Sequence, residues 1–408
     1  MAANNRIFYA CQLVGLSEMG TSPTNLPSKC TAAHGVQSVG ITTNFNLEQA
    51  FELGQIQIYE NIEGLPDVEV TLEKVLDGYP LLYHLATPNP ESVGLVGRGK
   101  ARADVALGIY SDGVDSVTDS GNIHYGGGAE GGFPAVEVFC SGMYMGSISY
   151  TVPVDGNATE SVTLVGNNKE WIVATGSMHI TSSGTGFGED ATLGGSATAD
   201  SPKALTGTSG GVQRRENVML NRTELPVGIY GVSGAGKGNA FPKGTTIKTA
   251  GLNTEAPAVH IQNFSVSTDF SREDILELGR KTPYFRAPGF PIEVPCDIEA
   301  IAVSGDFIAS YELGDPTLFD TTASGDNTGE ETILMTLMDG TVFDLGTNNR
   351  LSSVSYGGGD AAGGNVSLTY SYTNFNSLNV LHSQDPAKKT NGKYSAAQKS
   401  LVRGWAMS

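Results

Sequence analysis

Apolar and polar positions alternate over short runs through much of this chain, and a period of two is the signature of a strand with one buried face. Val36-Gln37-Ser38-Val39-Gly40-Ile41-Thr42 reads in this way, and so do 68–75 and 292–303. Further runs rich in Val, Ile, Thr and Tyr fall at 135–144, 146–153 and 160–165, with the turn Asp155-Gly156-Asn157 before the last of them. A comparable set occupies 332–337, 342–345, 351–356 and 365–372, punctuated by Asp339-Gly340 and Gly357-Gly358-Gly359. Asp-Gly and Gly-Gly pairs between such runs are hairpin signals, so both halves of the chain predict antiparallel sheet.

The two halves also share a motif. Thr43-Asn44-Phe45-Asn46-Leu47-Glu48-Gln49-Ala50-Phe51-Glu52-Leu53-Gly54 returns without a gap as Thr268-Asp269-Phe270-Ser271-Arg272-Glu273-Asp274-Ile275-Leu276-Glu277-Leu278-Gly279, an offset of 225 positions. The same register carries Tyr59 onto Tyr284, Gly64 onto Gly289 and Pro66 onto Pro291, and a slip then sets Val68-Glu69-Val70 against Ile292-Glu293-Val294. One domain present twice is the simplest account. Within the motif the pattern predicts a short helix. Asn46 and Ser271 stand as N-caps, Gln49 and Asp274 are placed to reach back to them, and Gly54 and Gly279 stand as left-handed C-caps. Leu47, Ala50 and Phe51 in one copy, and Ile275, Leu276 and Leu278 in the other, give that helix an apolar face to pack on a sheet, with contact to a partner as the alternative.

The expected fold class is all-β: two tandem β-sandwich or barrel domains, each with a flanking short helix, at 1–172 and 213–385. Residues 173–212, mostly Gly, Ser, Thr and Ala, read as a linker or surface loop. Residues 386–408 read as a basic arm, because Lys388, Lys389, Lys393, Lys399 and Arg403 stand there with no Asp or Glu.

Composition narrows the function. With 408 residues, 39% of them hydrophobic, the chain has enough apolar material for two cores, and 53 glycines beside only 16% charged residues favour turns and sheet over long solvated helices. The formal charge of −19 excludes a protein that grips nucleic acid through its phosphates, which needs clustered Lys and Arg. No apolar run approaches the roughly 18 residues of a membrane span. The segment around Ile7-Phe8-Tyr9-Ala10 lacks a signal-peptide core, so a soluble product made in the cytoplasm is expected.

Several strings imitate catalytic motifs and fail on context. Gly231-Val232-Ser233-Gly234-Ala235-Gly236-Lys237 has phosphate-loop spacing, but Gly238 stands where Ser or Thr must hold magnesium and Pro242 interrupts the helix the loop requires. Gly207-Thr208-Ser209-Gly210-Gly211 matches the serine-hydrolase string without the strand and helix that form its elbow. Asp112, Asp115 and Asp119 lack the Gly and closing Glu of a calcium loop. Glu48 with Glu52, and Glu273 with Glu277, are carboxylate pairs without a partner that would separate their acidities. Cys11, Cys30, Cys140 and Cys296 have no paired spacing and are expected to be free thiols, and the six histidines form no ligand pair. No catalytic, cofactor-binding or metal-ligating residue is assigned, and an enzyme is not expected.

The strand leading into Thr43-Asn44-Phe45, and the stretch 150–165 with its Val154-Asp155-Gly156 turn, Glu160 and Ser161-Val162-Thr163-Leu164, resemble the tail tube proteins of tailed bacteriophages. The second half matches the first of these elements well and the last loosely, through Val366-Ser367-Leu368. The resemblance implies a sandwich that self-assembles into stacked rings around a channel through which DNA is delivered. Six domains make such a ring, so two per chain imply homotrimeric, pseudo-hexameric rings in a virion tail, with sheath and other tail proteins as further partners. An acidic lumen would let DNA pass without binding. From a different class, a β-sandwich module recognising a carbohydrate or receptor is the alternative, with Trp171 and Trp405 as its available platforms.

Overall fold

The computed structural model describes residues 12–19, 30–54, 56, 58–87, 94–109, 134–174, 177–179, 211–221, 225–226, 246–248, 260–301, 332–357, 364–382 and 385. The chain is overwhelmingly strand. Its first half runs β1 (Gln12–Glu18), β2 (Thr31–Ala32), β3 (Val36–Asn44), β4 (Leu47–Phe51), β5 (Ile58–Glu63) and β6 (Asp67–Val75). Two short helices follow, α1 (Leu82–Ala86) and α2 (Leu95–Arg98), and then β7 (Arg102–Ile109), β8 (Val136–Pro153), β9 (Thr159–Gly166) and β10 (Glu170–Ile172). The second half begins with β11 (Val218–Asn221), β12 (Thr246–Lys248), β13 (His260–Asp269), β14 (Glu273–Ile275), β15 (Phe285–Ala287) and β16 (Glu293–Ile301). It ends with β17 (Leu334–Leu337), β18 (Val342–Asp344), β19 (Arg350–Gly357), β20 (Ser367–Phe375) and β21 (Asn379–Leu381).

Eight of these strands form one antiparallel row, β3-β6-β9-β8-β13-β16-β20-β19, which crosses from the first half into the second without a break. The first four and the last four repeat each other pair by pair. Ile41 faces Val70 as Val266 faces Cys296; Val70 faces Leu164 as Cys296 faces Tyr372; Ile148 faces Val162 as Val354 faces Tyr370. The irregularities repeat as well, at Val36/Ser38 and Ile261/Asn263 in one strand and at Met145/Ser147 and Leu351/Ser353 in another. A bulge is a specific local feature, so two at equivalent places are strong evidence of one pattern used twice.

Smaller sheets close the other side. The N-terminal part of β8 pairs with β7 and β10, and β7 leads on to β1 and β2; in the second half β12-β11-β17-β18-β21 forms the corresponding set. One apolar cluster fills the space between the layers and takes residues from both halves, among them Val70, Leu164, Tyr150, Phe264, Ile298 and Phe343. The rings of Tyr150 and Phe343, from different halves, lie 4.7 Å apart. Burying a side chain of this size contributes about 1.5–3 kcal/mol, so the shared cluster couples the halves strongly.

Three sequence expectations change. The shared motif is a β-hairpin and not a helix: β4 pairs with β5, and β14 with β15. A chain that leaves β3 and must return as β6 satisfies its backbone by extending the ladder, which a helix at this point would not allow. Gly54 and Gly279 do take positive φ, 94° and 87°, but within the hairpin. Ser271, also at positive φ, donates its N–H to Asp269 Oδ1 at 2.7 Å in a turn of the Asp and is not a helix cap. Second, the pairings set Val68 beside Val294 and not Ile292, a shift of two that leaves the same side chains facing the core. Third, 136–153 is one long strand, bulged at Met145/Ser147, where the sequence suggests two.

Candidate functional site

The place where the halves meet is an internal edge-to-edge junction. β8 and β13 pair from Ser147↔Asp269 to Pro153↔Asn263. On the core side Ile148, Tyr150 and Val152 lie opposite Thr268, Val266 and Phe264. Tyr150 donates its hydroxyl to Glu160 at 2.9 Å, and Glu160 also accepts the backbone N–H groups of Leu82 and Tyr83 at 2.7 and 3.0 Å, tying α1 to the sheet. Burial nonetheless raises the pKa of Glu160, these hydrogen bonds offsetting only part of it.

Beside this ladder the second hairpin is anchored to the first half by two arginines. Arg272 lies over the rings of Tyr144 and Phe270, at 5.2 and 5.1 Å, and donates from Nε to the Met145 carbonyl at 2.8 Å. Its burial lowers the guanidinium to about 10. Phe285 meets the edge of Tyr144 at 5.8 Å and 87°. Arg286 reaches Asp67 and Asp274, each at 2.9 Å. Burial alone would raise Asp67, but hydrogen bonds from Asn46 and Arg286 and the arginine's charge outweigh it and hold the carboxyl low. The Phe270 ring rests so close to Gly99 that a Cβ there would lie 2.9 Å from it.

A second brace lies deeper. Arg98 pairs with Asp385, both without solvent exposure, and donates from Nη1 to Thr87 O and Oγ1 at 3.2 and 3.1 Å. His84 Nε2 meets the Val380 carbonyl at 2.9 Å. Burial lowers His84 to about 4, outweighing the nearby Asp385 carboxylate, so the ring is neutral. These contacts fasten the end of the second half onto the helices of the first.

The outer ends of the eight-stranded row are the counterparts of these two edges, and among the described residues no strand pairs with them. β3 is the counterpart of β13, and β19 the counterpart of β8. Their burial differs accordingly. Phe270 is 0% exposed and its counterpart Phe45 is 66% exposed; Tyr150 is 1% exposed and its counterpart Tyr356 is 65%. Because neighbours in the row are antiparallel, β3 and β13 run the same way and both hairpins leave the sheet at one end. The first hairpin holds Leu47, Phe51, Leu53, Ile56, Ile58 and Ile62 in solvent, and the second Ile275, Leu276, Leu278 and Tyr284. A two-stranded hairpin is marginal alone, and six exposed residues of this kind represent on the order of 10 kcal/mol of burial not yet realised.

The face of the row turned from the core is a hydroxyl and carboxylate surface. Ser38, Glu73, Ser161, Ser149 and Ser267 form one line across five strands, and Thr151, Ser265, Asp297, Ser371 and Ser353 form another. Glu69, Asp269 and Glu299 add charge to it, and among the described strand residues of this face Arg350 is the one Lys or Arg.

The strings read as near-motifs, Gly231 to Lys237, Ser209 and the aspartates 112, 115 and 119, fall outside the described residues, as do Cys11, Trp405 and the basic arm. Cys30, Cys140 and Cys296 are buried and free, and burial pushes Cys30 to about 12 and Cys140 to about 11. Trp171 stands exposed on β10, opposite Val138. Glu48, Glu52, Glu273 and Glu277 belong to the hairpins and not to a helix face. Among the described residues no three His, Cys, Asp or Glu converge as metal ligands, and no helix is long and apolar enough to cross a membrane.

No family model and no curated protein matches the chain. Similar solved structures include the tube-terminating cap of the anti-feeding prophage, at 13% identity and a TM-score of 0.28 over 43% of this chain and 95% of that one. Another is the sheath–tube complex of an extracellular contractile injection system in its extended state, at 14% identity and 0.26 over 42% of this chain and 95% of that one. The sheath/tube terminator of such a system matches at 11% identity and 0.26 over 42% of this chain and 99% of that one.

Proposed function

We propose that this chain is a structural protein, two copies of one tube domain fused, whose subunits join edge to edge into closed rings that stack into a tail tube. The observation that carries the reading is the eight-stranded row: its internal junction pairs β8 with β13, and its ends present the counterparts of those two strands, β19 and β3, with no strand beside them among the described residues. Such an interface is head-to-tail, and a head-to-tail interface either closes into a ring or runs on as a filament. Closure with six domain seats takes three chains, and it leaves no edge of the row open.

The polar face of the row would then line the lumen. Carboxylates and hydroxyls facing a phosphate backbone offer it no counter-charge to bind, so DNA passes without adhering. At physiological salt the repulsion extends about 8 Å, enough to hold the duplex off the wall without affecting it beyond. Both hairpins project from one rim, where the neighbouring ring would cover their apolar side chains. The particle is a virion tail or tail-like tube, and the chain performs no catalysis.

Electron microscopy and native mass measurement of the concentrated full chain test this. Rings or tubes with three 42.6-kDa chains per ring are expected. Six chains per ring, or a monodisperse monomer at high concentration, would overturn it.

A further inference from the structure

The internal junction is a template for the external one, and it specifies more than that two edges meet. Resting on the ring reading above, we infer that β19 of one chain pairs antiparallel with β3 of a second copy in a defined register, locked by an ion pair between Arg350 and Glu60.

The register follows by transfer. Within the chain Ser147 faces Asp269, Ser149 faces Ser267, Tyr150 faces Val266 and Thr151 faces Ser265. The pairings of β8 with β9 and of β19 with β20 place Ser353 at the position of Ser147, Ser355 at that of Ser149 and Tyr356 at that of Tyr150. Those of β3 and β13 with their partners place Asn44, Thr42 and Ile41 at the positions of Asp269, Ser267 and Val266. Ser353 therefore faces Asn44, Ser355 faces Thr42, Tyr356 faces Ile41 and Gly357 faces Gly40. In this register exposed Tyr356 is covered on Ile41, as Tyr150 is covered beside Val266, and serine and threonine stay on the polar face. A slip by one residue would turn every side chain to the wrong face.

The side-chain chemistry beside the ladder is exchanged rather than repeated. Arg350 holds the position of Tyr144, and Glu60 the position of Phe285, since Ala50 pairs with Glu60 as Ile275 pairs with Phe285. An aromatic contact inside the chain is thus replaced across chains by opposite charges, both exposed in the single chain. The Arg286–Asp67 contact transfers to Asn61 and Glu293, an amide donor facing a carboxylate, so polarity is kept there too. At these two positions the change on one side of the junction is matched by a compatible change on the other. Unlike chemistry at the two junctions also discourages an isolated second half from taking the internal seat.

Cysteine pairs read the register directly. In a Cys11→Ser background, Thr42→Cys with Ser355→Cys places opposed Cα atoms about 4.5–5.5 Å apart, within disulfide range. Oxidation of assembled material is expected to give covalent dimers and trimers on a non-reducing denaturing gel. Thr42→Cys with Ser353→Cys, two residues out of register, is expected to give at least about fivefold less, its opposed atoms lying about 7–8 Å apart. Glu60→Arg alone and Arg350→Glu alone should each raise the concentration of half-assembly about tenfold, by setting like charges together, and the double exchange should restore it. If rings are visible by microscopy yet the in-register pair does not cross-link, or the double exchange rescues nothing, the register falls and the ring reading stands. If no ring forms and no pair cross-links, both fall.

Discussion

The filled junction between β8 and β13 and the open edges β3 and β19 are one design in two states. At the filled junction Phe270, Tyr150 and Val266 are sealed, Arg272 lies partly buried over two rings, and Asp67 is held low by hydrogen bonds from Asn46 and Arg286. At the open edges the counterpart aromatics stand about two-thirds in solvent. Local sequence does not account for this difference, because Thr43-Asn44-Phe45 and Thr268-Asp269-Phe270 are nearly the same string. What differs is the neighbour. An exposed residue whose twin is buried by a partner marks where a partner belongs, which is firmer ground than exposure alone.

The largest expected effect comes from the brace behind the filled junction. Arg98→Ala or Asp385→Ala leaves a buried charge unpaired and should destabilise the single chain by about 3–5 kcal/mol in chemical denaturation. Among the described residues no counterpart of this brace spans the open edges, so it separates covalent fusion from assembly. Phe270→Ala and Phe45→Ala sharpen the contrast itself. The first should cost about 3–5 kcal/mol as a cavity in a core, and the second less than about 0.5 kcal/mol in the single chain while weakening assembly. Equal costs in the single chain would show that the two phenylalanines are not twins differing in their neighbour.

Acid tests the brace in another way. His84 is buried and neutral with its pKa lowered to about 4, chiefly by burial, so the unfolded chain binds its proton more readily. The stability it secures is present above the unfolded value near 6.5 and declines as pH falls toward 4, by on the order of 3 kcal/mol. Thermal denaturation should show that decline in the native chain and a shallower one in His84→Gln. Arg286→Ala should have a small effect. Its contact with half-exposed Asp67 is screened by solvent, and the loss should be about 1 kcal/mol or less. Because Asp67 is held low, that contribution should fade as pH drops below about 4 and be absent in the variant.

Much of the sheet was legible because alternation at 36–42, 68–75 and 160–165 needs one buried face and nothing else. The hairpins were not. Leu47, Ala50 and Phe51 fit a helix face as well as a strand, and the feature that decides, the obligation to return from β3 into β6, lies in topology. The two-residue error in matching Val68 to Ile292 has a similar cause, since Val-Glu-Val and Ile-Glu-Val satisfy a period of two at either offset. The open edges left no trace in pattern at all. β3 and β13 have the same alternation, and whether a strand is central or at an edge is settled by what lies beside it. The resemblance to tube proteins implied two domains and a ring, but it did not point to the continuous row that pairs β8 of one half with β13 of the other.

Backbone hydrogen exchange on β3 and β19, compared between dilute chain and assembled particles, tests the central claim most directly. The account predicts that their outward amides exchange quickly in the dilute chain and slow, on assembly, to the level of β8 and β13. Exchange at β3 and β19 that is the same in both states would contradict it.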